Sequence, residues 1–170
     1  MVILGIDPGY AIIGYGAINA NGFSHSPIGY GAITTVAGVP FNRRLEIIFE
    51  EMNAIIAQYK PNAVAIEKLY FNSNQKTAIY VAQARGVILL SAQLAGVDVF
   101  EYTPLQVKSA VTGYGQATKT QVMRMTQRLL GLKEIPKPDD TADALAIAIC
   151  HSHSRGSALQ NMIINRGNKK

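Results

Sequence analysis

Cys150 is the only cysteine in the chain. One thiol excludes an intramolecular disulfide, and no cysteine–histidine spacing suits zinc. No apolar run approaches the roughly 20 residues of a membrane span. The N-terminus enters Val2-Ile3-Leu4 without a basic lead or a small-residue cleavage site, so no secretory signal is expected. A cytoplasmic protein with no membrane partner is the simplest expectation. Acids are also scarce: eleven Asp and Glu oppose sixteen Lys and Arg, a net charge of +5. Four of those bases, Arg155, Arg166, Lys169 and Lys170, fall in a polar tail. Without them twelve bases face eleven acids, so charge alone favours nucleic acid only mildly.

The rest of the composition is that of a folded domain. At 170 residues, 48% of them hydrophobic, the chain can bury one substantial core. Val2–Asp7 is a short apolar run stopped by Pro8-Gly9. Ile12–Asn19 and Phe23–Thr35 are rich in β-branched and aromatic residues and flank Asn21-Gly22, a strong hairpin signal. Over Phe41–Gln58 the period becomes helical, with Leu45, Ile48, Phe49, Met52, Ile55 and Ile56 in one stripe. Ala63–Glu67 reads as a central strand, and Asn72-Ser73-Asn74 as the cap of a helix over Gln75–Ala95. The small residues Ala78, Ala82, Ala84 and Gly86 of that helix permit close approach of another element or a second subunit. Val97–Tyr102 is a fifth strand. Helices over Pro104–Val111, Thr118–Leu130 and Asp139–His151 complete the pattern. The order predicts an α/β fold, a five-stranded mixed sheet with helices on both faces, as in ribonuclease H. No internal repeat or domain boundary interrupts residues 1–153, and residues 154–170 read as a flexible tail.

Four carboxylates carry the chemistry. Asp7 and Glu67 end apolar strands that a helical crossover should set in parallel, which brings both acids to one sheet edge. Asp140 and Asp143, three residues apart, share one side of the last helix. Acids converging from apolar elements are costly unless a cation joins them, and hard oxygen ligands suit magnesium or manganese. Two metal ions bridged by Asp7 would make a phosphoryl-transfer site. With four acids so neutralised, seven remain against sixteen bases, which suits a polyanionic substrate. Taken singly, Asp7 before Pro-Gly also suits a turn, and Asp139 or Asp140 a helix cap. Glu67 is harder to explain that way, because strands usually exit on turn residues.

These residues also carry a resemblance. Ile3-Leu4-Gly5-Ile6-Asp7-Pro8-Gly9, Ala65-Ile66-Glu67, Gln83-Ala84-Arg85-Gly86-Val87, Phe100-Glu101-Tyr102, Gln106-Val107-Lys108 and Asp143-Ala144-Leu145-Ala146-Ile147-Ala148 stand in order and spacing. Together they resemble the RuvC family of bacterial Holliday-junction resolvases over about residues 1–153. The resemblance implies a homodimeric endonuclease of DNA recombination and repair. It would nick two strands of like polarity at a four-way junction and leave 5′-phosphate ends. It assigns Asp7, Glu67, Asp140 and Asp143 as catalytic metal ligands, for two magnesium ions that manganese can replace. The spacing to Asp143 selects Asp140 over Asp139. Lys108 and Lys119 match family lysines near the active edge, and Lys119 opens a helix whose amides favour phosphate. Tyr70 matches a base-stacking aromatic. Phe71 either stacks beside it or packs in the core. Gly113-Tyr114-Gly115 resembles a glycine loop that approaches DNA, although Gly-Tyr-Gly also occurs at 14–16 and 29–31. RuvA and RuvB, the branch-migration proteins, are implied partners. His151 and His153 are expected at the surface, and Cys150 packed.

Two rivals fit less well. An actin-like ATPase or sugar kinase opens similarly but needs a second copy of the fold to clamp nucleotide, and this length cannot supply one. A junction-binding protein without catalysis would be expected to lack an acid, and all four are present.

Overall fold

A computed structural model describes residues 1–22, 24–69 and 75–154. Strands β1 (Val2–Asp7), β2 (Ile12–Asn21) and β3 (Ser24–Thr34) form an antiparallel meander, with Gly22 at φ 60° in the hairpin turn. Phe23, the expected start of the third strand, lies outside the described residues. Helix α1 (Phe41–Tyr59) ends where Lys60 turns left-handed ahead of Pro61, which has no N–H to continue the ladder. β4 (Ala63–Glu67) then pairs parallel with β1. α2 (Gln75–Leu94) leads to β5 (Asp98–Tyr102), parallel with β4, and α3 (Pro104–Thr112), α4 (Lys119–Leu129) and α5 (Asp139–His153) follow. α3 and α4 each start in a capping box, Thr103 with Gln106 and Thr118 with Gln121, which satisfies amides at each helix start. Among the described residues no helix is long and apolar enough to cross a membrane.

The sheet order β3-β2-β1-β4-β5 puts the most apolar strand, β1, in the middle. This is the expected ribonuclease-H-like sheet, and the expected element ends lie within two residues of those observed. Alternation sorts its side chains. Leu4, Ile6, Val64 and Ile66 face α1 and α2, whereas Ile3 and Ala65 face α5 and, beyond it, α3 and α4. Each large apolar side chain so buried contributes about 1.5–3 kcal/mol.

α5 is the centre of the second layer. From Thr141 to Ser152 every residue is buried except Asp143, which is half-buried, because the sheet covers one side of the helix and α3 and α4 the other. It lies close to the strands because they present glycine there. A Cβ on Gly5 would stand 2.0 Å from the Ala144 carbonyl oxygen, and one on Gly14 would stand 1.9 Å from that of Asp140.

One expectation is corrected. His151 is not a surface residue: it is 3% exposed, with Nδ1 2.7 Å from the Tyr102 hydroxyl and its ring 4.5 Å from that of Phe100. α5 is covered on all sides at that turn, so its polar group is paired inside the core. His153 is exposed as expected, with Nδ1 2.9 Å from the Ala110 carbonyl. The small residues of α2 admit another element as expected, since α1 packs against that helix. Ala84 is buried in the core, and the outer stripe is Ile79, Gln83, Gly86, Leu90 and Leu94. Cys150 is fully buried, as expected. Of the expected tail, Ser154 caps α5 and residues 155–170 lie outside the described residues.

Candidate active site

Asp7 is the last residue of β1 and faces the same side as Gly5, toward α5. Ile6 pairs with Ile66, so one step further Asp7 and Glu67 leave the sheet side by side. On its other flank Asp7 pairs with Gly14. The missing side chain at Gly14 lets the first turn of α5 settle on the sheet and delivers Asp140 and Asp143 to the same edge. The Thr141 hydroxyl donates to the Gly31 carbonyl (3.1 Å), tying that turn to β3. Gly9 lets the chain double back after Asp7, since a Cβ there would stand 2.0 Å from the Ile12 carbonyl oxygen.

The acids sense one another. Burial, then Glu67, Asp143 and Asp140 push the Asp7 carboxyl up to about 8, with Lys119 opposing. Glu67 is raised by burial and by Asp143, against Lys108 and Lys119. Asp143 is raised by burial, while Lys119 opposes and Asp140 and Asp139 add to the rise. The Lys119 ammonium lies 3.1 Å from Asp143 Oδ2 and 3.4 Å from Asp139 Oδ2. Its own pKa is lowered by burial but raised on balance by those two carboxylates. Among the described residues no three acid or imidazole side chains already form a metal-binding cluster. The donor set nevertheless fits a divalent cation, being all carboxylate oxygen and more negative than one lysine can offset.

A family model described as "Crossover junction endodeoxyribonuclease RuvC" matches residues 3–151. The chain belongs to the RuvC family. The RuvC of Brevibacillus brevis is 57% identical over 155 residues, covering 91% of this chain and 93% of the relative. That of Clostridioides difficile is 52% identical over 169 residues, covering 99% of both. Among solved structures, Thermus thermophilus RuvC in complex with a Holliday junction substrate superposes with a TM-score of 0.88. It is 34% identical, with 95% of this chain and 98% of that chain covered. The yeast mitochondrial Holliday junction resolvase Ydc2 is 13% identical, with a TM-score of 0.69 over 93% of this chain and 80% of its own. At that identity it shares the fold alone.

Most of the RuvC-like site residues expected from sequence gather at this edge. Asp7, Glu67, Asp140 and Asp143 influence one another, Lys119 pairs with Asp143, and Lys108 acts on Glu67. Tyr114 does not join the acids; it is exposed in the α3–α4 loop. Tyr70, Phe71 and the Asn72–Asn74 cap lie outside the described residues. Sequence reasoning missed Gly14, dismissed within a repeated Gly-Tyr-Gly. The available signal was two glycines, 14 and 16, alternating on one strand face. It also missed the aromatic group of Tyr10, Phe41 and Tyr80. Phe41 and Tyr80 lie 4.5 Å apart, Tyr10 and Tyr80 5.5 Å apart, and the Arg44 guanidinium is 5.5 Å from the Tyr10 ring centre. This cluster joins the chain just after Asp7 to α1 and α2.

Proposed function

We propose that this protein is a metal-dependent endonuclease that resolves four-way DNA junctions by paired symmetric nicks in strands of like polarity. The observation that carries the reading is Asp7, a half-buried carboxyl pushed up to about 8 beside three further acids in a chain of the RuvC family. Asp7, Glu67, Asp140 and Asp143 would hold magnesium, two ions per site, with manganese as a substitute. Bound there, the metal supplies Lewis acidity toward the phosphate and a lowered pKa for the attacking water. The chain's own groups do the rest. Gly9 and Gly14 keep the backbone close, so the acids sit on rigid strand and helix ends rather than on long loops. Lys119, in the first turn of α4, is placed to leave Asp143 for a phosphate oxygen and offset charge as it develops. Lys108 bears on Glu67 from α3 and adds to that field. Tyr70 would stack on an unpaired base at the crossover.

Paired nicks need two sites related by a two-fold axis. The outer stripe of α2 supports a homodimer: Ile79 is 59% exposed, Leu90 50% and Leu94 67%, and a Cβ on Gly86 would meet nothing within 4 Å. Work on junctions in the cytoplasm alongside RuvA and RuvB completes the proposal.

The test is a synthetic four-way junction and a matched duplex, each with and without magnesium, and with ATP as a control. Symmetric nicking of the junction alone, dependent on magnesium and not on ATP, is the expected result. Equal cutting of duplex, or cutting without a divalent ion, would overturn it. Sedimentation should give about twice 18.4 kDa, with Leu90→Glu shifting it toward the monomer.

A further inference from the structure

Between residues 102 and 133 the chain carries Lys108, Lys119, Arg124, Arg128 and Lys133 and not one Asp or Glu. The whole α3–α4 layer is therefore positive on a protein whose acids lie elsewhere. Within it a cleft of about 350 Å³ opens between the Tyr114 loop and α4, lined by Thr112, Tyr114, Gln121, Arg124, Met125 and Arg128. Tyr114 is 62% exposed, and both arginines are exposed. Neither arginine pairs with an acid among the described residues; the ion pairs there use Arg43, Arg85 and Lys119.

Two bases on a helix usually make a solvated face, and Arg128 in the last turn also suits the helix dipole. Neither account explains Arg124, in mid-helix, sharing a cleft with an exposed aromatic ring. We propose that this cleft is a second DNA-contact site, gripping the phosphate backbone of one duplex arm away from the scissile position. The inference rests on the function proposed above and extends its footprint. α4 begins at Lys119 on the catalytic edge and runs nine residues to Arg128, about 13 Å along its axis. Arg124 stands about 7.5 Å along that axis, so at about 3.4 Å per base step the two arginines meet an arm roughly two to four steps from the cut. Four residues separate them, about 6 Å along the helix, so they reach different phosphates of one strand. The Tyr114 ring walls the other side and offers an apolar face to the sugars.

Magnesium-free binding of the full chain to a four-way junction, read by anisotropy across a salt series, tests this. Arg124→Gln/Arg128→Gln should weaken binding and lower the slope of log K against log salt by about 1.8, two contacts at about 0.9 each. Uncharged methylphosphonate linkages about two to four steps from the cut should reduce the slope of the unsubstituted protein and leave the double variant unchanged. Equal slopes for variant and parent on the ordinary junction overturn the site. Equal losses for both proteins on the methylphosphonate junction overturn its placement on the arm. Failure of the functional reading looks different: the parent protein would then show no preference for junction over duplex.

Discussion

The Lys119 ammonium lies 3.1 Å from Asp143 Oδ2, a contact that joins the first turn of α4 to the half-buried acid of α5. With side chains 54% and 27% exposed, the pair is screened by water and contributes at most about 1 kcal/mol to stability. Its proposed weight is functional. Lys119→Ala should change unfolding free energy by less than about 1 kcal/mol yet slow junction cleavage on the order of 10²-fold. Single-turnover cleavage and denaturant melts of the same preparation check the split. Loss of stability without loss of rate would make the lysine structural.

Asp7 predicts how the metal-free protein responds to pH. Its folded pKa, about 8, stands above the ordinary 3.8 of the unfolded chain, so between those values the folded state holds a proton that the unfolded state gives up. The Asp7 contribution to stability is thus complete below about pH 4 and lost as pH rises toward 8. Asp7→Asn should abolish cleavage, leave junction binding largely intact and raise the metal-free Tm near neutral pH by a few degrees, roughly. Magnesium should raise the Tm of the parent protein and have much less effect on Asp7→Asn. Melts from acid to neutral pH, with and without the ion, decide it; equal magnesium shifts in both proteins would remove Asp7 from the metal site.

Gly14 is the packing counterpart of that charge. A methyl there would meet the Asp140 carbonyl oxygen at 1.9 Å, and the obstacle is backbone, so α5 must move. Gly14→Ala should cost about 1–3 kcal/mol and displace Asp140 and Asp143 from Asp7. The expected result is a cleavage defect larger than the loss of stability implies. Normal cleavage would mean that the helix adjusts without moving its acids.

The fold was legible because the period changes cleanly. Three consecutive strand runs broken by turn residues give way to helices whose apolar positions recur every three or four, with two short strands set between them. The convergence of the acids was legible for the same reason, since a parallel β1–β4 pair leaves Asp7 and Glu67 no other place. What escaped depends on contacts that composition does not record. His151 looked like a surface residue because it follows Cys150 near a polar tail, yet α5 is enclosed on every side and Tyr102 receives it. Gly14 and Gly16 looked like hairpin filler because their role lies in α5, far along the chain. On α2 the small residues admit α1, as the sequence suggests, but the exposed apolar stripe of Ile79, Leu90 and Leu94 is not marked by any period, the helix being apolar on most sides.

His25 supplies a second pH dependence, with the opposite sign. It is nearly buried, its Nε2 shares a 3.0 Å hydrogen bond with Ser152 Oγ, and the His153 ring stands 5.0 Å away, edge to face. Burial first, and then His153, lower its pKa below 6.5, so the folded state resists a proton that the unfolded state accepts. Its contribution is present above 6.5 and is lost as pH falls toward the lower folded value. Asp7 changes stability the other way over the same range, so the comparison is made in an Asp7→Asn background. There, His25→Gln keeps a polar group beside Ser152 but cannot titrate. It should cost about 1 kcal/mol at neutral pH, through lost packing and a weaker hydrogen bond. Toward acid that difference should shrink, because only the histidine protein loses stability. Thermal melts from about pH 5 to 7.5 span the window around the usual histidine pKa. Parallel profiles for the two proteins would mean that His25 takes up its proton as readily folded as unfolded.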